Sequence, residues 1–317
     1  MKPIRRGLEL AAILFVTSSP ALAADAGCNR ECLAGVMTTY LQALVRHDPS
    51  ALPMTRNVKY TENGVRLNVG DGLWQTASQL PTYRVDVMDD EASSVGLIGR
   101  IVENGNNNWY GVRLLVEPDH KVSQIEVLVN RNISGAAPGS AGGAPPRQNT
   151  EAHPLMAQVI PADRRSTRAE LARIGNTYFT GLDTEESSRG VPFDPACQRR
   201  ENGTVTANNP DAPQGSMAWL GCKAQFDTGF STIVTDIRER RFEVVDRTTG
   251  LAFGWGYFDH NGTAPQQQSD RPGSNNTNTF RQPFSFYIAE VFKVVDGKIR
   301  QIEAVLTTVP FQMESGW

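Results

Sequence analysis

The chain reads as an α+β protein of two similar halves, each an N-terminal helix packed on a curved antiparallel sheet. Three observations predict this class. Apolar residues recur at helical spacing at the start of each half, then give way to long strand-like runs. Turn formers are plentiful, with 28 glycines and 19 prolines, so strands and loops outweigh helices. Short matches also recur in the same order on either side of a stretch that has neither period. At 317 residues the chain has room for two ordinary domains.

The elements follow in order. Residues 1–23 have the three parts of a secretory signal. Lys2, Arg5 and Arg6 form a basic start, 8–16 is apolar apart from Glu9, and Ala21-Leu22-Ala23 is a small-x-small cleavage pattern. The apolar run is too short to span a bilayer. It predicts a cleaved signal, a secreted or periplasmic protein and no membrane span. Cleavage takes the formal charge from −3 to about −5. Export gives the four cysteines an oxidising compartment. Cys197 and Cys222 flank an Asn/Pro-rich stretch that a disulfide can hold. Cys28 and Cys32 lie one helical turn apart, where a bridge is geometrically tight. With no CxxC pair or clustered histidine beside them, structural disulfides are expected and a metal is not.

The first half occupies 28–131. A helix over 31–47 carries Leu33, Val36, Met37, Tyr40, Leu41 and Leu44 on one face. A short strand runs into Glu62-Asn63-Gly64, and strands follow over 84–88, 95–103, 110–116 and 122–129. Residues 132–163 are a linker rich in Gly, Pro and Ala. The second half, 164–317, opens with a helix over 167–183 bearing Leu171, Ile174, Tyr178, Phe179 and Leu182. The turn Glu201-Asn202-Gly203 and strands over 235–245, 251–258, 285–294 and 299–308 come next. Polar stretches 204–221 and 261–283 read as loop insertions.

The repeat rests on spacing. Tyr40-Leu-Gln-Ala-Leu44 matches Tyr178-Phe-Thr-Gly-Leu182, and Glu-Asn-Gly follows each tyrosine by 22 and 23 residues. Tyr110 and Tyr287 each precede a Gln-Ile-Glu triplet by 14. Mild acidity and the lack of basic runs argue against nucleic acid as a partner. No P-loop, GxSxG elbow, HExxH or dinucleotide fingerprint occurs. What remains is a small-molecule substrate or ligand, with a homodimer as a further partner the sheets allow.

Tyr-x-x-(Ala/Gly)-Leu on a first helix, with an acid-bearing turn some 22 residues on, resembles the NTF2-like superfamily. That superfamily includes SnoaL-type cyclases, ketosteroid isomerases and scytalone dehydratases. The resemblance covers each half, and implies two tandem cone-shaped domains. It implies fold more than activity, since the superfamily holds isomerases, dehydratases, cyclases and plain binding domains. Ketosteroid isomerases use a tyrosine on the first helix, a carboxylate after the first strand and an acid on a late strand. The matching residues are Tyr178, Glu201 and Glu290 in the second half. In the first they are Tyr40, Glu62 and, in place of the late acid, Arg113. The paired histidines of scytalone dehydratases are not evident.

Physical chemistry gives these positions two readings each. A carboxyl at the rim of an apolar cone is desolvated and becomes a usable base, and a phenol deeper inside can donate to a developing oxyanion. Equally, a tyrosine on an apolar helix face is often core, and Glu-Asn-Gly is an ordinary polar turn. Glu290 shares its face with Phe284, Phe286, Ile288 and Phe292, where an isolated acid is costly unless paired or protonated. Arg113 wants a carboxylate, with Glu62 or Asp86 within its own half, or holds an anionic substrate. Trp74 and Trp255 are expected to line the cones, with Tyr287 as a further contact. His260 is expected in a loop near the pocket mouth. The expected function is a cofactor-independent lyase or isomerase acting on a small, largely apolar, oxygenated molecule. Its rival is a non-catalytic protein that binds a ligand or dimerises. The observation that discriminates the two is whether Tyr178, Glu201 and Glu290 converge on one enclosed cavity with no buried cation beside the acids. If they point to separate places, or to solvent, the enzyme reading fails.

Overall fold

A computed structural model describes residues 27–131, 150–183, 187–263 and 282–317. The expected signal at 1–23, most of the linker and most of 261–283 lie outside the described residues. In chain order come α1 (Arg30–Val45), β1 (Met54–Glu62), β2 (Val65–Leu67), α2 (Leu73–Thr76), β3 (Ala77–Gln79), β4 (Arg84–Asp89), β5 (Ser94–Glu103), β6 (Asn106–Val116) and β7 (Val122–Asn130). Then follow α3 (Pro154–Ala157), α4 (Arg168–Asp183), β8 (Phe193–Glu201), β9 (Thr204–Ala207), α5 (Cys222–Phe226), β10 (Asp236–Asp246), β11 (Leu251–His260), β12 (Phe284–Val295) and β13 (Lys298–Val309). Part of the stretch expected to be an inserted loop, 204–221, is therefore strand: β9 pairs with β8 through Arg200 and Val205.

The strands form two sheets with the same order. The first runs β2-β1-β7-β6-β5, with β3 and β4 both on β5, and the second runs β9-β8-β13-β12-β11-β10. Both are mixed rather than antiparallel. β1 runs parallel to β7, and β8 parallel to β13. The reason is connectivity: the strand that follows each first helix enters beside the last strand of its own sheet, a placement no hairpin can make.

Burial divides into three layers. α1 covers one face of the first sheet through Leu33, Met37, Tyr40 and Leu44 against Leu97, Val112 and Ile125. α4 covers the second through Leu171, Ile174, Tyr178 and Phe179 against Phe258, Ile288 and Phe292. The remaining faces pack on each other, with Tyr83, Val85, Ile98 and Trp109 meeting Phe253, Trp255, Tyr257, Tyr287 and Val291. We call this third layer the seam. Close approach there depends on Gly96, where a Cβ would run into the Phe253 ring.

The seam is reciprocal. Arg30, which opens α1, pairs with Asp246 of the second half at 2.7 Å, and Arg168, which opens α4, pairs with Asp89 of the first at 2.8 Å. The backbone N–H of Met88 donates to Asp246, and that of Val245 to Asp89. Each half thus repeats toward the other what it receives. Both disulfides are formed, Cys28 to Cys32 and Cys197 to Cys222, as suits an oxidising compartment. Among the described residues no helix is long and apolar enough to cross a membrane.

Candidate functional site

The two helix–sheet interiors differ in how their acids are held. In the first, Trp74 of α2 is fully buried and meets the Tyr40 ring edge-on at 5.6 Å. The Tyr110 hydroxyl donates to that of Tyr40 at 2.9 Å. Burial raises both phenols above their usual range. Glu62 accepts from the Tyr60 hydroxyl at 2.9 Å and the Leu73 backbone N–H at 2.7 Å, and pairs with Arg131 at 2.7 Å. Both of its oxygens are committed, so Glu62 is a structural anchor for α2.

In the second interior, Tyr178 is ringed by Phe179, Phe193, Phe226 and Phe292 at centroid distances of 5.1–6.2 Å. Its hydroxyl accepts from Nη1 of Arg199 at 3.0 Å. Arg199 lies on β8 two residues before Glu201, so the two share a face. Its Nε donates to Thr206 Oγ1 and pairs with Glu201 at 3.2 Å, and its Nη2 donates to Gln225 Oε1 at 2.8 Å. Gln225 is fixed in turn, donating to the carbonyls of Thr206 and Met217 at 2.5 Å each. The Cys197–Cys222 bridge ties the strand carrying Arg199 to the helix carrying Gln225. The Glu201 side chain is 34% exposed and marks the rim.

Glu290 sits beyond this array on β12, 2% exposed, and its Oε2 has no hydrogen-bond partner among the described residues. Burial pushes its carboxyl up to about 8, and the Glu201 charge adds to the rise while Arg199 works against it. Burial likewise raises the Tyr178 phenol; the charges of Glu290 and Glu201 add to that rise, and Arg199 opposes it. The condition that no buried cation stand beside the acids is not met, because Arg199 stands among them. Sequence reading missed Arg199, Thr206 and Gln225. Only Arg199 left a signal, as the charged residue two places before Glu201 on a strand.

Several expected contacts lie elsewhere. Arg113 and Glu290 are not counterparts. Arg113 pairs with Glu126 across β6 and β7, whereas Val291 pairs with the matching Glu303. Residues 117–121 join the paired Val116 and Val122, but only 295–298 join Val294 and Ile299. The first turn is one residue longer, and a shift of one reverses the face. Arg113 consequently points into the seam. It pairs there with Glu126, and with Glu243 of the other half, rather than with Glu62 or Asp86. The same shift makes the equal spacing of Tyr110 and Tyr287 coincidental, since Tyr110 is in the first interior and Tyr287 in the seam. The Tyr287 hydroxyl donates to Glu126, and Trp255 packs beside it in the seam, not in a cone. His260 ends β11 rather than occupying a loop. It is buried and stacked on Phe284, and burial lowers its imidazole to about 4.

Glu126 is the hub of the seam. It also accepts from Arg241 of the second half, at 2.6 Å. Burial works to raise its carboxyl, but the Arg241 and Arg113 guanidinium groups outweigh that and hold it below the usual range. Among the described residues no cluster of His, Cys, Asp or Glu is placed to hold a metal.

Comparison with known proteins adds the following. Residues 164–306 match the model of a domain of unknown function, DUF8021. No curated protein matches the chain. Among solved structures, the chain is similar to an NTF2-like protein of unknown function from Cytophaga hutchinsonii, with 12% identity and a TM-score of 0.26 over 31% of this chain and 89% of that one. It is also similar to a protein from Xanthomonas campestris pv. campestris named as a polyketide cyclase, with 18% identity and a TM-score of 0.27 over 32% of this chain and 92% of that one.

Proposed function

We propose that the chain is two NTF2-like domains in tandem, 28–131 and 164–317, and that the second is a cofactor-independent acid/base lyase or isomerase. Its substrate is a small, largely apolar, oxygenated molecule. The observation that carries this reading is Glu290: a buried carboxyl with a free oxygen, beside a second carboxylate whose charge is met by Arg199. The hydrogen bonds and ion pair of Arg199 are with Glu201, Thr206, Tyr178 and Gln225, and not with Glu290. Two carboxyls in contrasting environments divide the roles of acid and base. Glu290 keeps its proton at neutral pH and donates it. Glu201, at the rim, takes a proton from substrate. Tyr178 accepts its bond from Arg199, which leaves the phenolic hydrogen for a developing oxyanion. The first domain, with Tyr40 and Glu62 both engaged, is structural in this reading.

A second reading is ligand binding without turnover, and Arg199 itself favours it. A guanidinium tied to Glu201 restrains the one carboxylate open to solvent, and suits that pair to holding an oxygenated ligand. The two readings part in one experiment. A panel of small oxygenated apolar compounds is screened for turnover and for thermal-shift binding with the wild type, Glu201→Gln and Glu290→Gln. Turnover by the wild type and at least about a hundredfold loss in each variant is the expected result. Equal turnover in all three removes the assignment. Binding without turnover in all three supports the second reading.

A further inference from the structure

The seam contains a cleft of about 360 Å³, lined by Ala92, Ser94, Leu115 and Gln124 of the first half and by Arg168 and Glu243 of the second. Ser94 pairs with Leu115, and Leu115 with Gln124, so the three form one row across β5, β6 and β7. The matching row of the second sheet is Leu251, Lys293 and Gln301. β10 walls the cleft, as β4 walls its counterpart.

That counterpart is filled, and by the chain itself. Met156 of α3 packs among the seam residues Val85 and Val87. Lys293 donates from Nζ to the carbonyl of Gln158 at 2.6 Å and of Thr249 at 2.5 Å. The Ile160 N–H donates to the Thr248 carbonyl at 2.8 Å, and the Ile160 side chain lies against Gly250. The His153 N–H reaches Glu303. Residues 153–160 are thus an arm laid along one groove of a two-groove seam, just ahead of α4. The corresponding stretch ahead of α1, counted from Tyr40 and Tyr178, is 15–22. It falls inside the segment that the sequence marks for cleavage, and it lies outside the described residues.

We propose that the cleft is a docking groove for an uncharged peptide segment with apolar side chains, the counterpart in trans of residues 153–160. Charge balance selects such a ligand. Around the cleft Arg113, Arg168 and Arg241 are matched by Asp89, Glu126 and Glu243, leaving no excess charge for an ion to meet. Gln124 gives its Oε1 to Arg113, which leaves its amide N–H groups to peptide carbonyls. Leu115 supplies the apolar surface of the cleft, as Val85 and Val87 do for Met156 in the filled groove.

The test uses the full chain after removal of 1–23, and a fluorescent peptide with the sequence of residues 153–160. Anisotropy titration is expected to show saturable binding. Leu115→Arg and Ala92→Trp, both at half-exposed positions, each weaken it about tenfold or more. Their melting temperatures, measured alongside, report whether the fold is kept, and a variant that fails this control is replaced by Gln124→Trp. No saturable binding by the wild type overturns the proposal. So does binding that survives the cleft substitutions. Binding that survives them but is lost in Lys293→Met overturns it too, because the peptide would then be displacing the resident arm.

Discussion

Glu290 is the residue whose state the fold controls most directly. Its carboxyl rises from an ordinary value of 4.5 to about 8 on folding. The native protein therefore holds a proton that the unfolded chain releases, and this contribution to stability is complete below about pH 4.5 and lost as pH climbs through about 8. Urea titrations at pH 5, 7 and 8.5 are expected to show stability falling along that series. Glu290→Gln should flatten the fall by an amount on the order of 3–5 kcal/mol. Identical slopes in the two proteins would mean that the carboxyl is ionised or hydrated in the native state. The alternation of Phe286, Ile288 and Phe292 was enough to put Glu290 on the inner face. Nothing local announced Arg199 as its neighbour, because that proximity comes from β8 lying parallel to β13, more than ninety residues away in sequence.

At the scale of elements, the recurring Glu-Asn-Gly turn has a structural explanation. Asn63 and Asn202 both take positive φ, as do the glycines after them, which is the backbone that a tight hairpin needs. The Asn63 amide donates to the carbonyl and accepts from the N–H of Val129, and Asn202 does the same with Leu306. Each amide closes the end of the parallel strand pair as a further rung. Gly203 also faces the other half, and a Cβ there would overlap the Trp109 ring. Gly203→Ala is expected to cost at least about 2 kcal/mol through backbone strain and this overlap together, read as a drop in the denaturation midpoint. An unchanged midpoint would show that the seam yields at this point. The strands themselves were legible from apolar runs, and the helices from their spacing. The extra residue in 117–121 was not, because both hairpins carry the turn chemistry of a tight connection.

Across the whole molecule, stability is shared between halves rather than held within each. Glu126 is fully buried and draws Arg241 and Tyr287 from the second half as well as Arg113 from its own. Glu126→Gln leaves two guanidinium groups under-neutralised in a buried layer, and is expected to destabilise the protein by about 3–5 kcal/mol. Calorimetry should still show a single transition for both halves. Two transitions, with only one of them displaced, would contradict a shared seam. The repeat in sequence announced two halves. It did not announce that they face each other, because seam residues such as Trp255 and Tyr287 are as apolar as any cone lining. Alternation separates two faces without saying which of them meets a helix and which a second sheet.

The reciprocal pairs at the helix starts have a thermodynamic consequence. Arg168 anchors the head of α4 to Asp89 of the first half, and the same helix carries Tyr178. Any molecule that enters the second interior and displaces α4 strains a bond to the opposite half. By linkage, the factor by which such a molecule weakens that bond is the factor by which forming the bond weakens its binding. One guanidinium and one carboxylate thus couple the second interior to the opposite half.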